Sequence, residues 1–226
     1  MGQEKIIHFL KKHPRMMDCL SIVYNMFHSL SFIRYGFFGP LSCRGAYLNR
    51  VKIEVAGKGC KIYIGRRTRL DHCKISLRGN NCSLHIVGGT TMLRNTLLDM
   101  YRDGSTIRIG TFFSMEGGRI EAMDGKSIQI GDNCMFSRGV EICNGDNHPI
   151  FLTDSINERL NPSADIVICN HVWLGSHERV LKGVQIAGDI VVGTNSLVTR
   201  TLDSPHSVYV GIPAKCIKQR TTWRRS

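Results

Sequence analysis

Residues 168–198, written in sixes, read ICNHVW LGSHER VLKGVQ IAGDIV VGTNSL V, and an aliphatic side chain opens every segment: Ile168, Leu174, Val180, Ile186, Val192 and Val198. The next residue is usually small (Cys169, Gly175, Ala187, Gly193, Thr199, with Leu181 the exception), and the residue four after the aliphatic is often apolar too (Val172, Val184, Ile190). A period of six matches neither the 3.6-residue helical repeat nor the simple alternation of a strand. It matches one short strand plus one turn, three of which make a triangular coil that stacks on its neighbours. The aliphatic then points into the prism, and the small residue after it is expected at the tight corner. A single coil cannot bury its inward face alone, so the pattern predicts a stack.

Working back from residue 168, the pattern loosens but persists. An apolar-x-apolar doublet recurs as Ile62-Tyr63-Ile64-Gly65, Leu84-His85-Ile86, Ile107-Arg108-Ile109-Gly110 and Ile128-Gln129-Ile130-Gly131, spaced about one long coil apart. Six-residue steps continue from the doublets, as in Ile86, Met92, Leu98 and in Ile130, Phe136, Ile142. The expectation is an all-β solenoid over residues 51–200, an N-terminal segment over 1–50 and a C-terminal tail over 201–226.

In the N-terminal segment, Met16, Leu20, Val23, Phe27 and Leu30 follow a 4-3-4-3 spacing with Asp18, Ser21, Asn25 and His28 between them, which predicts an amphipathic helix. Terminal repeats of solenoids need covering, so the favoured reading is a cap on the open end of the stack. The second reading is peripheral contact with an anionic membrane, because Lys5, Lys11, Lys12 and Arg15 precede the helix and Phe32, Phe37 and Phe38 follow it.

Composition bounds the rest. At 226 residues, with 42% hydrophobic and 21% charged content, the chain is large enough to bury one sizeable core. Nine scattered cysteines, an odd number with no Cys-x-x-Cys pair and no secretory signal ahead of them, point to a reduced, cytoplasmic setting. No stretch is apolar enough for a membrane span. A formal charge of +12 suits a phosphate-bearing ligand, an anionic membrane or nucleic acid, but no aromatic-interleaved RNA motif or DNA-reading helix accompanies it, so a nucleic-acid partner is not expected.

The six-residue period has one interruption, between Ile142 and Ile166, where Cys143-Asn-Gly-Asp-Asn-His-Pro-Ile150 opens a polar excursion. A long loop leaving a compact solenoid is usually functional. This stretch resembles the loop carrying the catalytic histidine in hexapeptide-repeat O-acetyltransferases, including those acting on galactosides, maltose and bacterial surface polysaccharides. The resemblance runs on through Val172-Trp173-Leu174-Gly175-Ser176-His177 to Gly211-Ile212-Pro213-Ala214-Lys215, so its motifs span residues 130–218, while the N-terminal half matches in pattern only. It implies a left-handed parallel β-helix and an acetyl-CoA-dependent O-acetyltransferase acting on a sugar hydroxyl.

Such a reaction needs a base, since a sugar hydroxyl is a poor nucleophile at neutral pH and a neutral imidazole is suited to take its proton. The resemblance assigns that work to His148. Asp146 either orients the imidazole or forms a local Asx turn. Trp173 either covers a coil corner or lies at the acceptor and thioester end of the site, as the resemblance suggests. Backbone N–H groups near Gly175 and Ser176 are candidates for stabilising the oxyanion. The resemblance places the acetyl-CoA groove along a coil edge, with Ser176, Thr194 and Thr199 on the pantetheine arm and Arg200, Lys215 and Lys218 near the phosphates.

His171 and His177, six residues apart, fall on successive faces and argue against a shared metal site, so no metal is expected. The resemblance further implies a homotrimer with its grooves between subunits, a carbohydrate acceptor and a capsule-type product. The alternatives are an amino-sugar, serine or xenobiotic acetyltransferase of the same fold, a γ-carbonic-anhydrase-like metal enzyme, and a non-enzymatic scaffold.

Overall fold

Leu41, Ile62, Leu84, Ile107, Ile128 and Ile166 lie in one line, each paired in parallel with the next. In the computed structural model, which describes residues 13–35, 39–155 and 157–225, this line is the inner row of a seven-stranded parallel sheet, the first face of a triangular solenoid. A fourteen-stranded sheet supplies the other two faces. It turns the corner between them within single strands, Ser114–Met123 and Met135–Cys143, with a register shift at Gly117/Gly118. The β-solenoid expected from the repeat is therefore present, and its coils already include Leu41–Ser42 and Tyr47–Asn49.

All six aliphatics of the 168–198 row are buried, as are Val172, Val184 and Ile190. Coil length explains why the period reads cleanly only there. Successive partners on the first face are 21, 22, 23 and 21 residues apart from Leu41 to Ile128, whereas Val167 and Gln185 are 18 apart, three times six. The extra residues slip the register in the longer coils: Leu93, not Met92, fills the core after Ile86.

The corners differ from the expectation in one respect. The residues with left-handed backbone lie three after the aliphatic, at His171, His177, Gly183, Asp189 and Asn195, all with φ between 58° and 76°. The residue directly after the aliphatic is small for another reason. A Cβ at Gly175 would stand 2.7 Å from the Thr194 nitrogen, and one at Gly193 2.6 Å from a Val210 methyl, so the next coil forbids it.

Two helices, α1 (Pro14–His28) and α2 (Leu30–Tyr35), cap the first coil. The residues doing so are polar. The open edge of a parallel sheet presents unpaired backbone groups, and Asn25 answers them like a strand: its Nδ2 donates to the Ala46 carbonyl at 3.0 Å and its Oδ1 accepts from the Leu48 N–H at 2.8 Å. Ser21 Oγ accepts from the Gly45 N–H, Ser29 Oγ donates to the Val51 carbonyl, and Ser31 Oγ accepts from the Ile53 N–H. Ser21 and Asn25 are fully buried while Met16, Leu20, Val23, Phe27 and Leu30 are exposed. The apolar stripe expected to cover the open end therefore faces away from it. Lys5, Lys11, Lys12, Phe37 and Phe38 lie outside the described residues. Neither helix is long and apolar enough to cross a membrane.

At the other end, the strand Ser207–Val210 completes the second face and Lys215–Gln219 folds back antiparallel on it. The tail beyond runs back along the corner between the first and second faces. Trp223 is buried, stacks on His171 at 4.4 Å and donates from Nε1 to its carbonyl. Arg225 donates to the Phe112 and Cys134 carbonyls and to Ser114 Oγ.

Candidate active site

Between Cys143 and Ile166 the chain leaves the prism at the corner joining the third face to the first. Asn144 anchors the departure: buried, it accepts from the Met123 N–H at 2.7 Å, and its carbonyl accepts from the Ala164 N–H at the loop's return. Gly145 packs tightly beside it: a Cβ there would lie 2.2 Å from Ser163 Oγ and would push that hydroxyl from its bond to Asp124.

The centre of the loop is Asn161. Its Nδ2 donates to Asp146 Oδ2 at 2.7 Å and to the His148 carbonyl at 2.9 Å, and its Oδ1 accepts from the Ile150 N–H at 2.7 Å. One side chain thus ties together the Asp146 carboxylate before His148 and the backbone at His148 and Ile150. Lys182, on the next coil, donates to the same Asp146 oxygen and to the Asn161 carbonyl. Arg159 bridges the Asp146 carbonyl and Asp124 Oδ2, which also accepts from Ser163 Oγ. The hydrogen bond from Lys182, together with that from Asn161, outweighs partial burial and holds the Asp146 carboxyl below the usual range.

This geometry assigns Asp146 differently from either expectation. Its carboxylate is committed to Lys182 and Asn161 and makes no hydrogen bond to the His148 imidazole, so in this chain it fixes the loop. The His148 side chain is exposed at the loop surface, and its imidazole has no hydrogen-bond partner among the described residues. A rigid backbone carrying an uncommitted imidazole is the arrangement a general base requires.

Trp173 lies on the second face, half-buried, paired with Met135 and Val191, with Nε1 donating to Ser137 Oγ at 3.4 Å and Trp223 6.2 Å away. The face it occupies lies across the prism from the corner that carries the His148 loop. The remaining candidates divide between edges. Ser176 and Thr194 each precede a left-handed corner residue on the edge between the second and third faces, one coil apart, with the Asn195 N–H donating to the Ser176 carbonyl. Thr199 and Arg200 follow the third-face strand Leu197–Val198 and sit on the His148 edge, one coil beyond Leu181 and Lys182. Lys215 and Lys218 are exposed on the terminal antiparallel strand. Gly175 donates its N–H to the Val192 carbonyl at 2.8 Å, so that group is spent on coil pairing and is not available to an oxyanion.

His177 stands on the second edge between two open grooves of about 480 and 510 Å³. Ser114, Met135, Ser137 and Ser176 line one; Glu141, Arg179, Ser196 and Ile212 line the other. Gly139 makes room for the His177 ring, since a Cβ there would meet Nδ1 at 2.4 Å. Asn161 and Lys182 escaped the sequence reading. Each is separated from His148 by more than ten residues, and nothing but the return path of the loop brings them together.

No family model matches the chain. It is 34% identical over 177 residues to the polysialic acid O-acetyltransferase of Neisseria meningitidis, covering 78% of this chain and 81% of that protein. Among solved structures it is similar to the polysialic acid O-acetyltransferase OatWY (TM-score 0.66, 27% identity, 80% of this chain and 90% of that one). It is also similar to the polySia-specific acetyltransferase NeuO (TM-score 0.62, 27% identity, 78% and 90%). The repeat, the histidine loop and these likenesses agree, and the chain belongs to the family of hexapeptide-repeat O-acetyltransferases that includes the polysialic acid O-acetyltransferases.

Proposed function

We propose that this protein uses acetyl-CoA to acetylate a sugar hydroxyl of a bacterial surface polysaccharide of the capsule type, or of its precursor, with His148 as general base. The observation that carries the reading is the uncommitted His148 imidazole on a loop that Asn161 holds at the Asp146 carboxylate, the His148 carbonyl and the Ile150 N–H. His148 removes the hydroxyl proton as the acceptor oxygen attacks the acyl carbonyl, and it returns that proton to the departing thiolate. The donor supplies the activated acetyl group. Small residues on the prism edge at Ser176 and Thr194 suit a narrow pantetheine arm, and the exposed cations Arg200, Lys215 and Lys218 suit its phosphates.

Trp173 supplies an aromatic face of the kind that suits a sugar ring. Because it lies across the prism from His148, a site using both residues is assembled from two subunits, which favours the homotrimer. The enzyme works on the cytoplasmic side, against the membrane where glycan precursors are held. The relatives' acceptor, polysialic acid, is an acidic polymer, and the excess of 30 Lys and Arg over 18 Asp and Glu is complementary to such an acceptor.

The test is thiol release from acetyl-CoA in the presence of acidic capsular oligosaccharides. Wild-type protein is expected to turn over with at least one of them and His148→Ala to lose about a hundredfold or more, the scale of a missing general base. Equal turnover in the two proteins removes His148 from the role. Absence of both turnover and CoA binding removes the reading.

A further inference from the structure

We infer that the outer face of the two N-terminal helices is a docking surface for an anionic phospholipid membrane. The inference deepens the proposed reading by naming the surface on which the enzyme sits, and it stands on geometry remote from the His148 loop.

The starting observation is the inversion of the cap. Ser21 and Asn25 are fully buried against the first coil, and the hydrogen bonds they make there fix the rotation of α1. With that side committed, the opposite side is left apolar. Leu20 is 45% exposed, Val23 52%, Ile33 50%, Phe27 82% and Leu30 83%. Large apolar side chains scattered singly on a surface are ordinary, but five of them exposed within fourteen residues of two consecutive helices mark an interaction surface. The helix is too short to span a bilayer, so these side chains suit insertion to the depth of the headgroup boundary with the helix lying flat. The cap covers one end of the solenoid, so such an orientation stands the coil stack on the membrane and leaves its grooves and loop open.

Charge selects the occupant. Residues 1–54 contain eight bases (Lys5, Lys11, Lys12, Arg15, Arg34, Arg44, Arg50, Lys52) against Glu4, Asp18 and Glu54. Asp18 is removed from the balance by its ion pair with Arg66. Beside the exposed Leu30 a groove of about 590 Å³ runs between the helices and the first coil; Arg34 and Arg50 are in its walls, together with Lys52 and Glu54, which pair with each other, Glu54 also pairing with Lys74. Apolar side chains flanked by cations match the boundary between acyl chains and phosphate headgroups. A second copy of this chain would bring a like-charged surface against it, which disfavours end-to-end pairing.

The experiment is co-sedimentation of the full-length protein with vesicles of pure phosphatidylcholine or of phosphatidylcholine with phosphatidylglycerol, with thiol release on a soluble oligosaccharide measured in parallel. Wild-type protein is expected to bind the anionic vesicles and to be released by salt. The double variant Phe27→Glu/Leu30→Glu is expected to bind at least about tenfold more weakly, and Arg15→Glu/Arg34→Glu to show a similar loss. All are expected to retain acetyl transfer, since these side chains make no contact with the loop.

Failure of the wild type to bind, or equal binding to neutral vesicles, overturns the inference and leaves the acetylation reading intact. Self-association of the wild type that the Phe27→Glu/Leu30→Glu variant abolishes, without vesicle binding, assigns the face to a second copy and also overturns it. Vesicle binding without any acetyl transfer upholds the docking surface and counts against the enzymatic reading instead.

Discussion

Glu178 occupies a core place. The inward rows carry Val172, Val184 and Ile190 at the position two before the aliphatic, and Glu178 stands at that position before Val180, stacked between Val140 and Ser196. It is fully buried, with neither carboxyl oxygen in a well-formed hydrogen bond among the described residues; burial, only partly offset by the Ser196 backbone N–H, pushes its pKa from 4.5 up to about 8. The folded protein therefore holds this proton more tightly than the unfolded chain. The stability linked to it is fully present below about pH 4.5, falls as pH rises from there to about 8, and is flat beyond. Glu178→Gln removes the titration while keeping the shape. The slope of melting temperature between pH 5.5 and 8.5 is expected to be shallower in the variant, by several degrees over the window for an effect of a few kcal/mol. Identical slopes would show that the carboxyl ionises without cost. The sequence announces this residue only as a break in a repeat, and a period of six gives no sign of what the misplaced group does. His148 was legible for the opposite reason, because its neighbours in the chain form the motif.

The loop illustrates what a linear motif leaves out. Residues 143–150 mark where the chain departs from the prism, but the side chains that hold His148 in place come from the return limb and from the following coil. Asn161 is a polar residue before a proline, unremarkable in sequence, and Lys182 is one base among thirty Lys and Arg. Only the fold makes one of them a hub and the other a partner for Asp146. Removing the hub has a defined consequence. Asn161→Ala leaves the Asp146–Lys182 pair but frees the His148 carbonyl and the Ile150 N–H, so the imidazole loses the fixed position that the proposed general base needs. A tenfold to hundredfold fall in kcat is expected, about the effect of small misplacement of a catalytic group. CoA affinity by calorimetry should be unchanged, because Asn161 bonds none of the residues assigned to the donor, Ser176, Thr194, Arg200, Lys215 and Lys218. A parallel loss of CoA affinity would show that Asn161 supports the whole edge rather than the histidine alone. The helices carry the same lesson: the 4-3-4-3 spacing identified α1 and its apolar stripe, yet not its rotation, which hydrogen bonds to Ala46 and Leu48 decide.

At the scale of the molecule, a triangular prism separates its corners. His148 extends from the edge between the third and first faces, while Trp173 lies on the second face across the core, so the two do not meet within one chain. If both belong to the acetylation site, each site draws the loop of one subunit and the tryptophan face of its neighbour, and closed threefold symmetry gives every subunit one of each role. This arrangement makes a prediction that a site built within one chain does not. His148→Ala and Trp173→Ala trimers are each expected to be nearly inactive. When the two are unfolded together and refolded as an equal mixture, about a quarter of the interfaces join an intact His148 to an intact Trp173, because each partner is supplied independently at one half. Activity should return to about a quarter of the wild-type value, measured as thiol release against the same protein refolded alone. Mixing without recovery, despite formation of mixed trimers shown by mass spectrometry, would place both residues in one subunit's site or remove Trp173 from it.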